Sequence, residues 1–172
     1  VTAPHSLPEF PRSTVDGYAV RAQDTFGASP AQPAYFVLGG EVPMGRIADV
    51  AVGLGQCALI HTGGMLPDGA DAVVMLEHVQ VATSGVGTAP AGEVEILRAA
   101  APGENVISVG EDVQQGQVVI PGGALLRPPE IGGLMALGLT TVAVTRKPIV
   151  ALISSGDEIV EPQVRPSPGQ VR

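Results

Sequence analysis

The sequence predicts a mainly β chain with minor α content: a β-barrel-like domain of short strands, one short helix, and the first strand of a truncated α/β domain. Three observations lead there. Of the 172 residues, 23 are glycine and 16 proline, a proportion that favours turns and short strands over a helical bundle. Short apolar segments recur about eight to twelve residues apart with turn signals between them. Only one segment carries a convincing helical period. Apolar residues make up 45% of the chain, enough for a core and too many for a disordered polymer.

Asp16 to Arg21 reads Asp-Gly-Tyr-Ala-Val-Arg, a turn followed by a short alternating strand. Asp24 to Pro33 is turn-rich. Tyr35 to Leu38 is a strand ended by Gly39-Gly40, and Gln56 to His61 follows a loop bounded by Gly53 and Gly55. A long turn segment runs from Thr62 to Asp71. Ala72 to Leu76 is short and apolar, ended by Glu77 and His78, and Val79-Gln80-Val81 alternates weakly. Residues 84–92 read as a hairpin tip. Glu93 to Arg98 alternates again, with Val94 and Ile96 facing one way. Val106-Ile107 and Gln117 to Ile120 continue the pattern as far as Pro121-Gly122-Gly123.

The expected helix spans about Pro128 to Leu137. Pro128 and Pro129 suit its first turn and Glu130 complements the dipole there. Ile131, Leu134, Met135 and Gly138 follow an i, i+3, i+4, i+7 face, and Gly138 fits the stop position. Gly132 and Gly133 weaken the helix by about 1 kcal/mol each relative to Ala, so it must rely on packing. Leu139 to Thr145 reads as a strand. Ile149 to Ile153 is a continuous apolar run, the pattern of a strand buried on both faces of a parallel sheet. A parallel neighbour needs a crossover of a dozen or more residues, and the fourteen residues after Glu158 include three prolines. The sheet is therefore expected outside this chain, and the start at Val1 also reads as a cut. The expected division is a β-rich domain at 1–116, a helix-plus-strand linker at 117–146, and the start of a truncated α/β domain at 147–172.

Nine Lys and Arg against 17 Asp and Glu leave a net charge of −8. Such a chain without a basic cluster is a poor binder of nucleic acid and of anionic membrane surfaces. No run approaches the roughly 18 apolar residues of a membrane span, and Val1 to Phe10 lacks the features of a signal peptide. The single cysteine, Cys57, cannot form an internal disulfide; it fits a reducing cytoplasm and a buried structural role.

Carboxylates stand beside glycine at Asp16-Gly17, Asp68-Gly69, Gly110-Glu111-Asp112 and Gly156-Asp157-Glu158. Turns select such pairs, because Asp bonds its own backbone and Gly accepts positive φ. Clustered at loop ends, the same carboxylates suit Mg²⁺. One Cys with scattered His5, His61 and His78 makes no zinc pattern, and neither a Walker loop nor a nucleophile elbow occurs. Thr62-Gly63-Gly64 is the kind of segment that leaves backbone N–H groups open to an anion. Ser154-Ser155-Gly156-Asp157-Glu158 follows the buried run directly, where ligands bind in open α/β sheets.

Pro11-Arg12-Ser13-Thr14-Val15-Asp16-Gly17-Tyr18-Ala19-Val20 resembles the segment that opens the central region of the MoeA family, which includes the gephyrin E domain and the plant Cnx E domain. The blocks Ile60 to Glu77, Val109 to Val113 and Ala151 to Val160 follow in the same order, together with the Gly-Leu-Met-Ala-Leu-Gly stretch at 133–138. The resemblance covers nearly the whole chain.

The resemblance implies insertion of molybdate into adenylylated molybdopterin, with Mg²⁺ as cofactor and release of AMP. It implies catalytic roles for Asp16, Thr62, Asp112 and Glu158, ligand binding at Gly63, Ser155, Gly156 and Asp157, and metal binding at Asp16 and Glu158. It also implies a homodimer whose site lies between the β domain of one subunit and the molybdopterin-binding α/β domain of the other. The N-terminal helical segment, most of that α/β domain and the C-terminal β domain of the family are expected to be absent, so the 172 residues alone are expected to be inactive. Two departures stand out: Pro11-Arg12 replaces a frequent Asp-Asn, and Ser154-Ser155-Gly156-Asp157-Glu158 replaces Ser-Thr-Gly-Asp-Glu. The rival readings are a non-catalytic dimerisation or scaffold module of the same family, and a generic β domain whose Asp-Gly pairs are only turns.

Overall fold

Short strands separated by glycine turns need partners from elsewhere in the chain, and a computed structural model, describing residues 1–81 and 92–172, shows how they find them. In chain order the elements are β1 (Arg12–Ser13), β2 (Gly17–Val20), β3 (Ala34–Glu41), β4 (Gln56–Ile60), β5 (Ala72–Met75), β6 (Val79–Val81), β7 (Glu93–Ile96), β8 (Val106–Ile107) and α1 (Pro128–Ala136). Two 3₁₀ turns, Ala22–Thr25 and Leu76–His78, follow β2 and β5. Six strands form a curled half-barrel sheet in the order β5-β2-β4-β3-β7-β6, and β1 pairs with β8. Every pairing is antiparallel except β3 with β4. The mainly β expectation with one short helix holds. The hairpin tip expected at 84–92 lies outside the described residues apart from Gly92.

Successive strand residues point to opposite faces, and here both faces are covered. Tyr18, Val20, Phe36, Cys57, Val74, Val94 and Ile96 pack on one face. Ala19, Ala58, Ile60 and Val73 pack on the other with Val42, Val52 and Leu66. This is why β2 and β5 are apolar without alternation. Each fully buried Val, Ile or Phe side chain contributes about 1.5–3 kcal/mol. Gly39-Gly40 does not end β3 as the sequence suggests. The strand runs on to Glu41, and the register against β4 slips between Leu38 and Gly40. A bulge absorbs the glycines without ending the pairing.

The structure divides into two compact units, Val1–Thr140 and Thr141–Arg172. The first unit includes α1. Arg127 and Glu130 cap the helix start: the Arg127 main-chain N–H donates to Glu130 Oε2 at 3.0 Å and the two side chains are ion-paired. That pairing draws the Glu130 carboxyl down to about 2. At the other end Gly138, with φ +68, donates to Met135 O and Leu139 to Leu134 O. These two hydrogen bonds across a left-handed glycine make the stop that the sequence predicts. The buried face is narrower than the periodicity predicts. Leu134 and Leu137 are buried, while Ile131 and Met135 are exposed, because only one side of this short helix meets the segment around Val119 and Ile120.

Three expected strands do not form. Gln117 to Ile120 contributes an isolated bridge from Val118 to Thr2. Leu139 to Thr145 and Ile149 to Ile153 carry no strand pairing. Ile149, Leu152 and Ile153 are 94, 92 and 91% exposed. A parallel strand is stable only between neighbours that accept its hydrogen bonds and cover its side chains, and no such neighbour occurs among the described residues.

Candidate functional site

The register of β2 against β4 builds the site. Gly17 faces Ile60 in that antiparallel pair, so Asp16 comes level with the residues just beyond β4, His61 and Thr62. Asp16 Oδ1 accepts the Thr62 main-chain N–H at 2.7 Å and the Thr62 hydroxyl at 3.1 Å. On the other side β2 runs beside β5, and Leu76 N–H donates to Asp16 O at 3.2 Å. Gly17 is required for that approach: a Cβ there would stand 2.1 Å from Val74 O. Asp16 is thus held by both flanking strands through a glycine that lets the backbones close up.

A second layer extends from Asp16. The His61 Nδ1 atom lies 3.8 Å from Asp16 Oδ1, and its Nε2 lies 3.0 Å from Glu41 Oε1 at the end of β3. The two donated Thr62 hydrogen bonds, main-chain bond first, hold the Asp16 carboxyl below its ordinary value, with His61 adding a smaller pull. The carboxylate is therefore ionised at neutral pH. Glu41 and His61 were not among the residues singled out from sequence. Their signal is only that each ends a strand adjacent in the sheet.

The turn after Thr62 departs from the sequence expectation. Gly63 N–H donates to Ser13 O at 2.8 Å, Gly64 N–H to His61 O at 2.8 Å, and Thr62 N–H to Asp16. All three N–H groups are engaged, so this segment is no open anion nest. The physical reason is threefold: the Asp16 carboxylate takes the Thr62 N–H, Ser13 of β1 takes the Gly63 N–H, and the turn itself closes Gly64 N–H onto His61 O.

Asp112 joins the same unit by a different route. Its N–H donates to Leu7 O at 3.0 Å, and its Oδ2 lies 3.6 Å from Arg12 Nη2. Arg12 belongs to β1 and bridges to Met65, so it ties the Asp112 loop to the segment behind Thr62. Asp16, Thr62 and Gly63 are therefore in direct sequence or hydrogen-bond contact, and Asp112 is linked through Arg12, the residue that departs from the family pattern.

Ser155, Gly156, Asp157 and Glu158 lie in the second unit. There a turn closes with Ile159 N–H donating to Gly156 O at 3.1 Å, and Val171 N–H donates to Glu158 O at 2.7 Å. The Glu158 carboxylate folds back over Gly156, where a Cβ would meet Oε2 at 2.5 Å. Ser154, Gly156 and Glu161 line a cavity of about 450 Å³, while Ser155, Asp157 and Glu158 are not part of its wall.

Mg²⁺ binds through one or two carboxylates and keeps waters or substrate phosphates as its remaining ligands. Asp16 fits one such position. It is half exposed and ionised, and among the described residues its Oδ2 takes no hydrogen bond. No group of three or more metal-binding side chains converges among the described residues.

Residues 1–138 match the family model described as the MoeA N-terminal region, domains I and II. The chain is 35% identical over its full length to a molybdopterin molybdenumtransferase of Bacillus subtilis, covering 39% of that protein. It is 37% identical over 99% of its length to molybdopterin molybdenumtransferase 2 of Mycobacterium tuberculosis, covering 40%. It also superposes on the crystal structure of a molybdopterin biosynthesis MoeA protein from Pyrococcus horikoshii, with TM-score 0.84, 38% identity, and coverage of 95% of this chain and 41% of the other. The chain thus spans about two fifths of the length of these relatives. With the match over residues 1–138 and the shared half-barrel, it belongs to the MoeA family, in its N-terminal region.

Proposed function

We propose that this chain supplies the β-domain part of the active site of a molybdopterin molybdenumtransferase, which inserts molybdate into adenylylated molybdopterin and releases AMP. The observation that carries this is the Asp16–Thr62 contact at the shared end of β2 and β4, in a chain of the MoeA family. Asp16 presents an ionised carboxylate at a strand end, and Thr62 keeps it in one orientation. Thr62 Oγ1 donates to Asp16, so its hydroxyl retains lone pairs toward solvent but no second proton. Asp112, paired with Arg12, supplies a further carboxylate on the same unit.

Mg²⁺ is the cofactor that suits this chemistry, with Asp16 as the ligand that this unit offers. When bound, the ion neutralises phosphate oxygens and so eases cleavage of the adenylate. Asp16 contributes charge and orientation, and the Glu41–His61 pair limits where its carboxylate can swing. We place the working enzyme in the cytoplasm as a homodimer, consistent with a biosynthetic role and with the lack of any described helix long and apolar enough to cross a membrane.

The test is molybdenum insertion by a full-length family enzyme carrying these 172 residues, compared with its Asp16→Asn variant. Loss of turnover on the order of 100-fold with an unchanged melting temperature supports the proposal. Equal turnover would leave Asp16 as a turn residue. A stable dimer without turnover in either protein would favour a scaffold module.

A further inference from the structure

The two apolar clusters do not cover the sheet equally. The first draws on β3 and β7 as well as on β2, β4 and β5, through Phe36, Val94 and Ile96. The strand residues of the second come only from β2, β4 and β5. Its cover reaches β3 at one place, where Val50 Cγ2 lies 3.7 and 3.6 Å from the points at which side chains of Gly39 and Gly40 would begin. Before those glycines the face is open. Tyr35 and Val37, which alternate with the buried Phe36, are 57 and 60% exposed. Register places Tyr35 opposite Glu95, Val37 opposite Glu93, and Glu95 opposite Gln80. The patch on β3, β7 and β6 thus holds an aromatic and an aliphatic side chain, each with a glutamate about 5 Å away on the next strand.

Glu93 and Glu95 form no ion pair among the described residues. Arg98, just beyond β7, lies 2.8 Å from Glu104, and Arg21 pairs with Asp24. Arg12 and Arg127 are paired with Asp112 and Glu130. Arg46 belongs to the loop beyond the Glu41 end of β3, beside Phe10 and Gly63. His78, just before β6, pairs with neither glutamate. Residues 82–91 contain no charged side chain. Two like charges, about 6.7 Å apart along one strand, therefore lack a cation from the described residues. The backbone hydrogen bonds of β3 and β7 are engaged within the sheet, so its face offers nothing to the N–H and C=O groups of an extended peptide. An α-helix satisfies its own backbone and presents side chains alone. Lys or Arg at i and i+4 of a helix stand about 6 Å apart along its axis, close to the spacing of the two glutamates.

We propose that this face of β3, β7 and β6 docks a basic amphipathic helix of a partner protein, with an apolar stripe on Tyr35 and Val37 and a Lys or Arg pair at i and i+4 on Glu93 and Glu95. The net charge of −8 steers such a helix toward the chain, and the small patch makes the docking weak and salt-sensitive. None of these residues belongs to the Asp16 site, so the docking surface and the transferase function stand or fall separately. The experiment is an NMR titration of the isotope-labelled 172-residue chain with a synthetic helical peptide of about 18 residues, carrying Lys pairs at i and i+4 beside a Leu stripe. A scrambled peptide of the same composition and a proline-interrupted, extended peptide serve as comparisons. Amide shifts should be confined to β3, β6 and β7, and the helical peptide should bind at least tenfold more tightly than either comparison. Glu93→Gln combined with Glu95→Gln should weaken it about tenfold or more, and Tyr35→Ser several-fold with every charge kept. Circular dichroism checks that each variant folds. Shifts centred elsewhere, equal binding of the scrambled or extended peptide, or no binding at millimolar peptide overturns the proposal. So does self-association of the chain that Tyr35→Ser abolishes while no peptide binds, which would make the face a contact between copies.

Discussion

Asp16 Oδ1 accepts two hydrogen bonds from one residue, the main-chain N–H of Thr62 at 2.7 Å and its hydroxyl at 3.1 Å. Asn in place of Asp16 preserves an acceptor oxygen and the turn before Gly17, and removes one negative charge. Asp16→Asn should therefore melt within a few degrees of the parent chain. In a full-length enzyme it should lose on the order of 100-fold in molybdenum insertion. If metal binding is its role, raised Mg²⁺ should partly restore the rate.

The same two bonds favour the charged form of Asp16, so its folded pKa lies below the ordinary 3.8. A depressed carboxyl contributes stability that is present above 3.8 and lost as pH falls through the folded value. A carboxyl-carbon NMR titration should place the Asp16 midpoint below 3.8. Thr62→Val removes the hydroxyl and keeps the main-chain donor, so the midpoint should rise only part of the way back. A complete return to 3.8 would mean that the main-chain bond does not form in solution.

Gly17 carries the close approach of β2 to β5. A methyl group there would fall 2.1 Å from Val74 O, too near for any rotamer change to relieve. Gly17→Ala should destabilise the fold by about 3 kcal/mol, at the upper end of typical overpacking costs. Chemical denaturation would read this as a lower midpoint with an unchanged slope. A loss below about 0.5 kcal/mol would show that the strands separate readily.

Glu130 is held down to about 2 by Arg127. The contribution of this pair is present above the ordinary 4.5 and disappears as pH falls toward 2. Arg127→Gln should return the Glu130 midpoint toward 4.5, measured by NMR, and fray the first turn of α1. Arg127 is exposed and Glu130 half-buried, so added salt should weaken the effect in part.

Burial pushes the Cys57 thiol up to about 12. The thiolate is the reactive form, so native protein at pH 8 should resist a thiol reagent and react only after denaturant is added. Rapid labelling of the native chain would contradict the packing of β4 between two apolar faces.

Much of this molecule is decided locally. Alternation marked β7, and Val94 and Ile96 are both buried as the period predicts. Pro128, Glu130 and Gly138 bounded α1 because proline, an acid and a left-handed glycine act within one turn of their own positions. Asp16 and Thr62 were legible as candidates because each stands beside glycine in a turn, and family resemblance placed both in one site.

The tertiary structure decided what depends on a distant partner. Register between β2 and β4 brings Asp16 onto Thr62 from 46 positions away, and sheet order sets Glu41 and His61 together. Neither register nor sheet order leaves a mark in a local window. Asp16, Ser13 of β1 and His61 O take up the Thr62, Gly63 and Gly64 N–H groups that looked free. Packing on one side alone leaves Ile131 and Met135 in water despite their helical spacing. The run Ile149 to Ile153 has the composition of a buried strand, yet it stays unpaired, because a strand exists only when neighbours share its hydrogen bonds.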